Sequence, residues 1–298
     1  RPRPHANTTP HTPKCEEPDN QWHLKAVGAL DAQGVDVMRA PVTVGVMADG
    51  FNHMITDLYG RVDFDKSVSC NVNGIPTISS WTWGSTDATR GTQMAGVIAG
   101  RGISSGVPGV NPTLSVAAID VQSRQTGMHY PEYVVCGFVW AADHGISVTA
   151  SSFAADPWKY WMPHEPNQAA GREAMRRAID YAASKDVINV VGAGSGGIDL
   201  DNPPSKDSSS PTDAWAPYER DSWSGLTIPT MMDNVVPVST LRLADGQDPA
   251  SGTLEPAWTA NWGKQTIAFA APGENVYTSL PSAAGSPGDV ARDSSMAA

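Results

Sequence analysis

Basic side chains are scarce in this chain: 20 Lys and Arg stand against 31 Asp and Glu, a formal net charge of −11. A surface of that sign repels nucleic acid and anionic lipid, so neither is expected as a partner. Long apolar runs are missing as well. No stretch reaches the ~18–20 residues that a membrane-spanning helix needs. Only three cysteines occur, Cys15, Cys70 and Cys136, and none forms a C-x-x-C pair, which argues against a zinc site. An odd count leaves room for one disulfide and one free thiol. No internal repeat and no signal-peptide pattern are visible. The sequence opens at Arg1, and a processed or excised fragment is the expectation.

What is present is enough apolar content, 40% of 298 residues, to bury a large core. Residues 1–20 are rich in Pro, Thr and polar side chains, and residues 1–34 read as an extended leader or linker. Asn7-Thr8-Thr9 is a glycosylation sequon, of consequence only in a eukaryotic secretory host. From residue 35 onward, strand-like and helix-like patterns alternate. Short β-branched or small-apolar runs at 42–47, 114–121, 146–152, 187–193, 235–241 and 266–271 predict buried strands. Helical spacing predicts helices over 91–99, 130–144 and 165–185, the last with Ala174, Ala178, Ile179 and Ala182 on one face. Gly145 is a natural helix stop. The alternation argues for an α/β fold with a parallel sheet. Residues 200–230, with Pro203, Pro204 and Pro211, predict a long irregular surface or functional loop.

Several segments then carry chemistry in a fixed order. VTVGVMADGFNHMITDL ends a strand just before a Gly, RGTQMAGVIAG opens a helix, NVVGAGSGG ends a strand, WTANWGKQTIAFAAPGENVYTSLP leads up to the C-terminal end, and DSSMA closes it. In this order the chain, from about residue 35 to its end, resembles the subtilisin-like serine peptidases, the subtilases. YPEYVVCGFVWAADHG and TASSFAADPW resemble secreted actinobacterial members in particular. The resemblance implies a three-layer α/β sandwich with a mostly parallel central sheet, a domain over residues 35–298, and location outside the cytoplasm. It implies peptide or protein as the ligand. It places Ser151, Ser152 and Phe153 beside the first substrate pocket.

Family chemistry needs a nucleophilic Ser, a His to take its proton, an Asp to orient the His and an Asn to help bind the oxyanion. Here the Asp position is Ala48, the His position is Arg90 and the oxyanion Asn position is Ser195; only Ser295 retains the family's residue. The Gly and Thr before the nucleophile are replaced by Asp293 and Ser294. Guanidinium stays protonated, with a pKa above about 12, so Arg90 cannot be a general base. An Arg90–Asp293 ion pair closing the cleft is one expectation; Arg90 holding a ligand carboxylate is the other. Strand alternation would aim Asp49, one residue past the Asp position, away from the cleft. His53 lies in the following loop and reads as a solvated side chain. His23, His129, His144 and His164 fall in no matching position.

The resemblance also implies a Cys70–Cys136 disulfide with Cys15 free. No metal site is assigned. Calcium, which relatives hold through the Asp matching Asp57 and an Asn matching Ile103, is weakened here because Ile103 offers no oxygen. A second cysteine pair of relatives is absent: Met162 and the region around Gly225 stand in its place. Ser295 should open a long buried helix, yet the sequence stops at Ala298. The domain is therefore expected to be cut short just after the nucleophile motif, with a C-terminal extension or a second chain supplying the helix. Three readings follow: a pseudopeptidase that binds peptide, an active serine endopeptidase using displaced groups, or a decayed product without a selected function.

Overall fold

The computed structural model describes residues 21–32, 42–103, 108–247, 252–280 and 289–292. The six predicted strands, joined by two short ones that were not predicted, β2 (Val68–Ser69) and β9 (Leu254–Pro256), form one sheet with β1 (Thr43–Ala48), β3 (Ser115–Asp120), β4 (Val148–Ser151), β5 (Ile188–Gly192), β8 (Val235–Leu243) and β10 (Phe269–Pro272). The order is β10-β8-β5-β4-β1-β3-β2. Every pair along that path is parallel, and only β9 runs antiparallel, against β8. The helices are α1 (Trp22–Ala26), α2 (Ala29–Ala32), α3 (Ser80–Trp83), α4 (Thr89–Ala99), α5 (Pro131–Asp143) and α6 (Pro166–Ser184). The small strands β6 (Lys206–Asp207) and β7 (Arg220–Asp221) pair with each other, as do β11 (Glu274–Thr278) and β12 (Asp289–Arg292).

Strand alternation feeds two separate cores. Val44, Val46 and Ala48 of β1, with Val116 and Ala118 of β3, face Met94, Ala95 and Ala99 of α4. Met47 of β1, with Ala117 and Ile119 of β3, faces Val134 and Phe138 of α5 and Met175, Ala178 and Ile179 of α6. A strand apolar on both faces has to be covered twice, and this makes three layers. Each of the Val, Ile, Met and Phe side chains among these, fully buried, contributes roughly 1.5–3 kcal/mol. β1 is the reversal point. The chain crosses from it to β3 on one side, then returns to β4 on the other, so a crevice opens at the carboxyl ends of β1 and β4.

Three departures from the sequence reading are local. Residues 21–32, read as part of the leader, form α1 and α2; Trp22 and Leu24 are buried, and the Trp22 indole donates to the Asn275 carbonyl at 3.1 Å. Packing thus begins upstream of residue 35, while residues 1–20, with Cys15 and the sequon, lie outside the described residues. The strand expected at 266–271 starts only at Phe269. Thr266 is held instead in a turn by Asp201, whose carboxylate accepts the amides of Gln265 and Thr266 and the Thr266 hydroxyl.

The 200–230 segment is not wholly irregular. Asp207 and Arg220 pair at 2.8 Å, both largely buried, and join β6 to β7. Burial opposes ionisation of Asp207, but hydrogen bonds from Ser209, Ser210 and Arg220 outweigh it and hold its carboxyl below the usual range. Arg220 also donates to the Tyr160 carbonyl at 2.8 Å and lies 4.8 Å from the Trp158 ring centre.

Cys70, just after β2, is bonded to Cys136 in α5, with Cα atoms 5.9 Å apart. Met162 packs against Gly225; a Cβ on that glycine would lie 2.8 Å from the Met162 sulfur.

Removing one member of a buried ion pair strands its partner's charge. Arg220→Ala is therefore expected to cost about 3–5 kcal/mol in urea unfolding. A loss below about 1 kcal/mol, the value of an exposed pair, would show that Asp207 and Arg220 do not hold this segment.

Candidate functional site at the strand ends

The crevice is built on two glycine contacts. After Ala48 the backbone bends, and Gly50 takes a φ of +75°. A Cβ there would sit 2.0 Å from the Trp83 carbonyl oxygen, and one on Gly91 would sit 1.8 Å from that of Gly50. Only glycine permits either approach. The first turn of α4 thereby rests directly on the end of β1. Asp49 completes the joint, its Oδ1 accepting the Gly91 amide at 2.7 Å. The expectation that alternation aims Asp49 away from the cleft is thus overturned. Alternation ends with the strand, and the bend turns the carboxylate towards α4. Ala48 is 1% exposed and belongs to the apolar cluster of the α4 face.

Arg90, beside Gly91, reaches across the crevice, and its Nη1 donates to the Ser152 carbonyl at 3.3 Å. Two hollows adjoin it. One, of about 270 Å³, is bordered by Arg90, Ser152, Phe153 and Ser195, with Lys159 and Thr230. The other, of about 510 Å³, is bordered by Asp49, Arg90, Gln93, Gln122, His129 and Phe153. Ser152 and Phe153 thus line the crevice, whereas Ser151 turns inward and donates to the Val190 carbonyl at 3.3 Å. Ser195 is exposed in the loop after β5. That loop is pinned by Asn261, which sequence reading passed over. Its Oδ1 accepts the amides of Gly196 and Ile198, and its Nδ2 donates to the Ala193 carbonyl. Ser295, Ser294 and Asp293 lie outside the described residues, and with them the Arg90–Asp293 pair.

His129 is the imidazole that reaches this crevice. It stacks on Phe153, ring centres 4.4 Å apart and planes 5° apart. Burial, with Arg90 nearby, pushes its pKa down to about 3, and its Nε2 is buried without a hydrogen-bond partner. His53 is not the solvated loop side chain expected. It packs 5.4 Å from the Phe64 ring and 5.2 Å from Trp83, and burial lowers its pKa. Asp57 is buried and accepts the Ser279 hydroxyl at 3.0 Å, while Ile103 is exposed. Among the described residues, no group of three or more His, Cys, Asp or Glu is placed to hold a metal.

At the end of β3, Asp120 is 1% exposed. Asn71 donates to it at 2.6 Å and Ser69 at 3.4 Å, the Gln122 amide bonds it at 3.3 Å, and Arg124 lies 3.7 Å away. Burial pushes its carboxyl up to about 7, with Asp49 adding to the rise, against the Gln122 amide, Arg124 and Ser69.

Comparison with known proteins locates this architecture. Residues 39–298 match the model of the Subtilase family. Fervidolysin of Fervidobacterium pennivorans is 27% identical over 203 residues, 64% of this chain and 26% of that protein. Mycosin-3 of Mycobacterium tuberculosis is 30% identical over 205 residues, 63% of this chain and 41% of that protein. The chain therefore spans well under two thirds of these relatives' length. Among solved structures, the nisin leader peptidase NisP of Lactococcus lactis superposes with a TM-score of 0.68 at 17% identity, covering 94% of this chain and 80% of that one. The epidermin leader peptide processing protease of Staphylococcus aureus gives 0.66 at 20% identity, covering 95% and 70%. Both share the fold. Among the described residues, no helix is long and apolar enough to cross a membrane.

Asp120 makes stability depend on pH. Below about pH 4 it is protonated whether folded or unfolded; above about 7 the native state must bury a carboxylate that the unfolded chain solvates. Its raised pKa therefore lowers stability as pH rises from about 4 to 7. Relative to Asp120→Asn, the native protein is expected to lose on the order of a few kcal/mol across that window, measured by urea unfolding at each pH. A difference between the two that stays constant from pH 4 to 8 would contradict this.

Proposed function

The chain belongs to the subtilase family, and we propose that it is a pseudopeptidase: a domain that holds peptide at the β1/β4 crevice without cleaving it efficiently. The observation that carries this reading is Arg90. The residue that opens α4 at the crevice is a permanently protonated guanidinium tied to the Ser152 carbonyl. A serine attacks a carbonyl well only when a base takes its proton as the bond forms. In subtilisin, loss of that base costs about 10⁶ in turnover. Ala48 could orient no base even if one were present.

The competing reading, cleavage by displaced groups, draws on Asp49 and His129 bordering the same hollow. No hydrogen bond joins the two among the described residues, and Asp49 is already engaged by the Gly91 amide. An imidazole with a pKa of about 3 is too weak a base for this work at neutral pH. We also read the protein as extracytoplasmic, because disulfides such as Cys70–Cys136 persist in oxidising compartments.

A serine-directed fluorophosphonate is expected to leave Ser295 unlabelled in the native protein and to label it in the Ala48→Asp/Arg90→His double variant. Labelling of Ser295 in the unaltered protein, found by mass spectrometry, would overturn the reading.

A further inference from the structure

The stacked His129–Phe153 pair borders the hollow of about 510 Å³, yet the imidazole Nε2 does not hold it there, being buried without a hydrogen-bond partner. The backbone beneath does. The His129 amide donates to Asp156 Oδ2 at 2.8 Å, and the Asp156 amide donates to the His129 carbonyl at 2.9 Å. One residue of the loop after β4 thus grips both polar groups of the His129 main chain. Asp156 stands three residues beyond Phe153, so this grip joins the two segments that supply the two rings.

The other carboxylate oxygen reaches a third segment. Asp156 Oδ1 accepts the Thr212 hydroxyl at 2.9 Å, and the Thr212 amide donates to the Pro157 carbonyl at 2.8 Å. Thr212 belongs to the 200–230 segment, which the buried Asp207–Arg220 pair frames. A single half-buried carboxylate therefore ties together three stretches of chain that are distant in sequence. Burial, with Asp213 adding to it, raises the Asp156 pKa, against the His129 amide and the Thr212 hydroxyl. A carboxylate in such a place is costly unless its oxygens are bonded, and both are.

Resting on the peptide-binding reading above, we propose that Asp156 is a positioning residue of the crevice: through His129 it sets the ring pair against which a bound peptide lies, and through Thr212 it joins the 200–230 segment to that wall. It acts through these neighbours and not by touching the peptide. The role lies in its two hydrogen bonds and not in its charge, because an amide of the same shape can keep both links. An Asn oxygen would accept the His129 amide, and the Asn NH2 would donate to the Thr212 hydroxyl oxygen. That hydroxyl would then turn to the Pro157 carbonyl, already 3.3 Å from it. An Ala methyl keeps neither link.

Fluorescence anisotropy with a fluorescein-labelled library of neutral decapeptides, beside NMR of histidine-labelled protein, tests this; urea unfolding checks that each variant is folded. In the native protein the His129 ring protons feel the Phe153 ring current, a signature of the stacking itself. Asp156→Ala is expected to weaken peptide binding about tenfold and to move the His129 signals towards those of a free imidazole. Asp156→Asn should stay within about twofold in affinity and leave the signals in place. Thr212→Val, at an exposed position, removes one link and should weaken binding about threefold; it keeps the proposal open to refutation should Asp156→Ala not fold. Affinity unchanged in the folded variants among Asp156→Ala and Thr212→Val, in a protein that binds the library, would overturn the positioning role and leave peptide binding standing. Weakened binding with the His129 signals unmoved would overturn the route through His129. A loss in Asp156→Asn as large as that in Asp156→Ala would overturn the role assigned to the hydrogen bonds. No measurable binding by the native protein would overturn peptide binding itself, and the positioning role with it.

Discussion

The Gly91 amide bonded to the Asp49 carboxylate, with Gly50 and Gly91 in backbone contact beneath it, is the joint on which the crevice depends. It fixes the first turn of α4 against the end of β1 at a separation that no larger residue permits. Because α4 is set there, Arg90 projects towards β4 and meets the Ser152 carbonyl. Because β1 is the reversal point of the sheet, the loops after β4 and β5 converge on the same side, bringing Ser152, Phe153 and Ser195 to Arg90. Among the described residues, one crevice thus gathers Arg90, Ser152, Phe153 and Ser195.

Those changes are consistent with one another. A carboxylate at position 48 would need a charged or hydrogen-bonding partner to remain buried; the alanine there belongs to an apolar cluster and needs none. A guanidinium at position 90 finds one acceptor in the Ser152 main-chain carbonyl. The aromatic Phe153, stacked on His129, occupies part of the crevice wall and withholds the imidazole from solvent. On the function proposed above, this crevice holds an extended chain rather than breaking one.

Much of the fold could be read from the residues because burial on both faces leaves an unmistakable pattern. The runs that became β1, β3, β4, β5 and β8 are mostly apolar or small, and the one-sided apolar stripe of α6 is periodic. What escaped reading was set by context. Trp22 and Leu24 belong to a short apolar stretch that follows a long polar one, and the distant β11 helps to cover them. The direction of Asp49 depends on a bend that the alternation rule does not contain, although the Gly after it was a visible signal. His129 and Asn261 belong to segments whose register with the crevice is fixed by chain crossovers, so neither spacing nor composition could bring them there. The motifs, by contrast, carry the expectation that Ala48, Arg90 and Ser195 stand where relatives have Asp, His and Asn.

The account turns on whether a peptide held at this crevice stays whole. The direct measurement is to saturate the protein with a peptide that binds, in ¹⁸O-labelled water at neutral pH, and to recover the peptide for mass spectrometry after days of incubation. The account predicts saturable binding and a peptide recovered intact, without ¹⁸O in any new carboxylate. Fragments carrying ¹⁸O at a single cleaved bond, formed by the native protein and lost on Ser295→Ala, would contradict it.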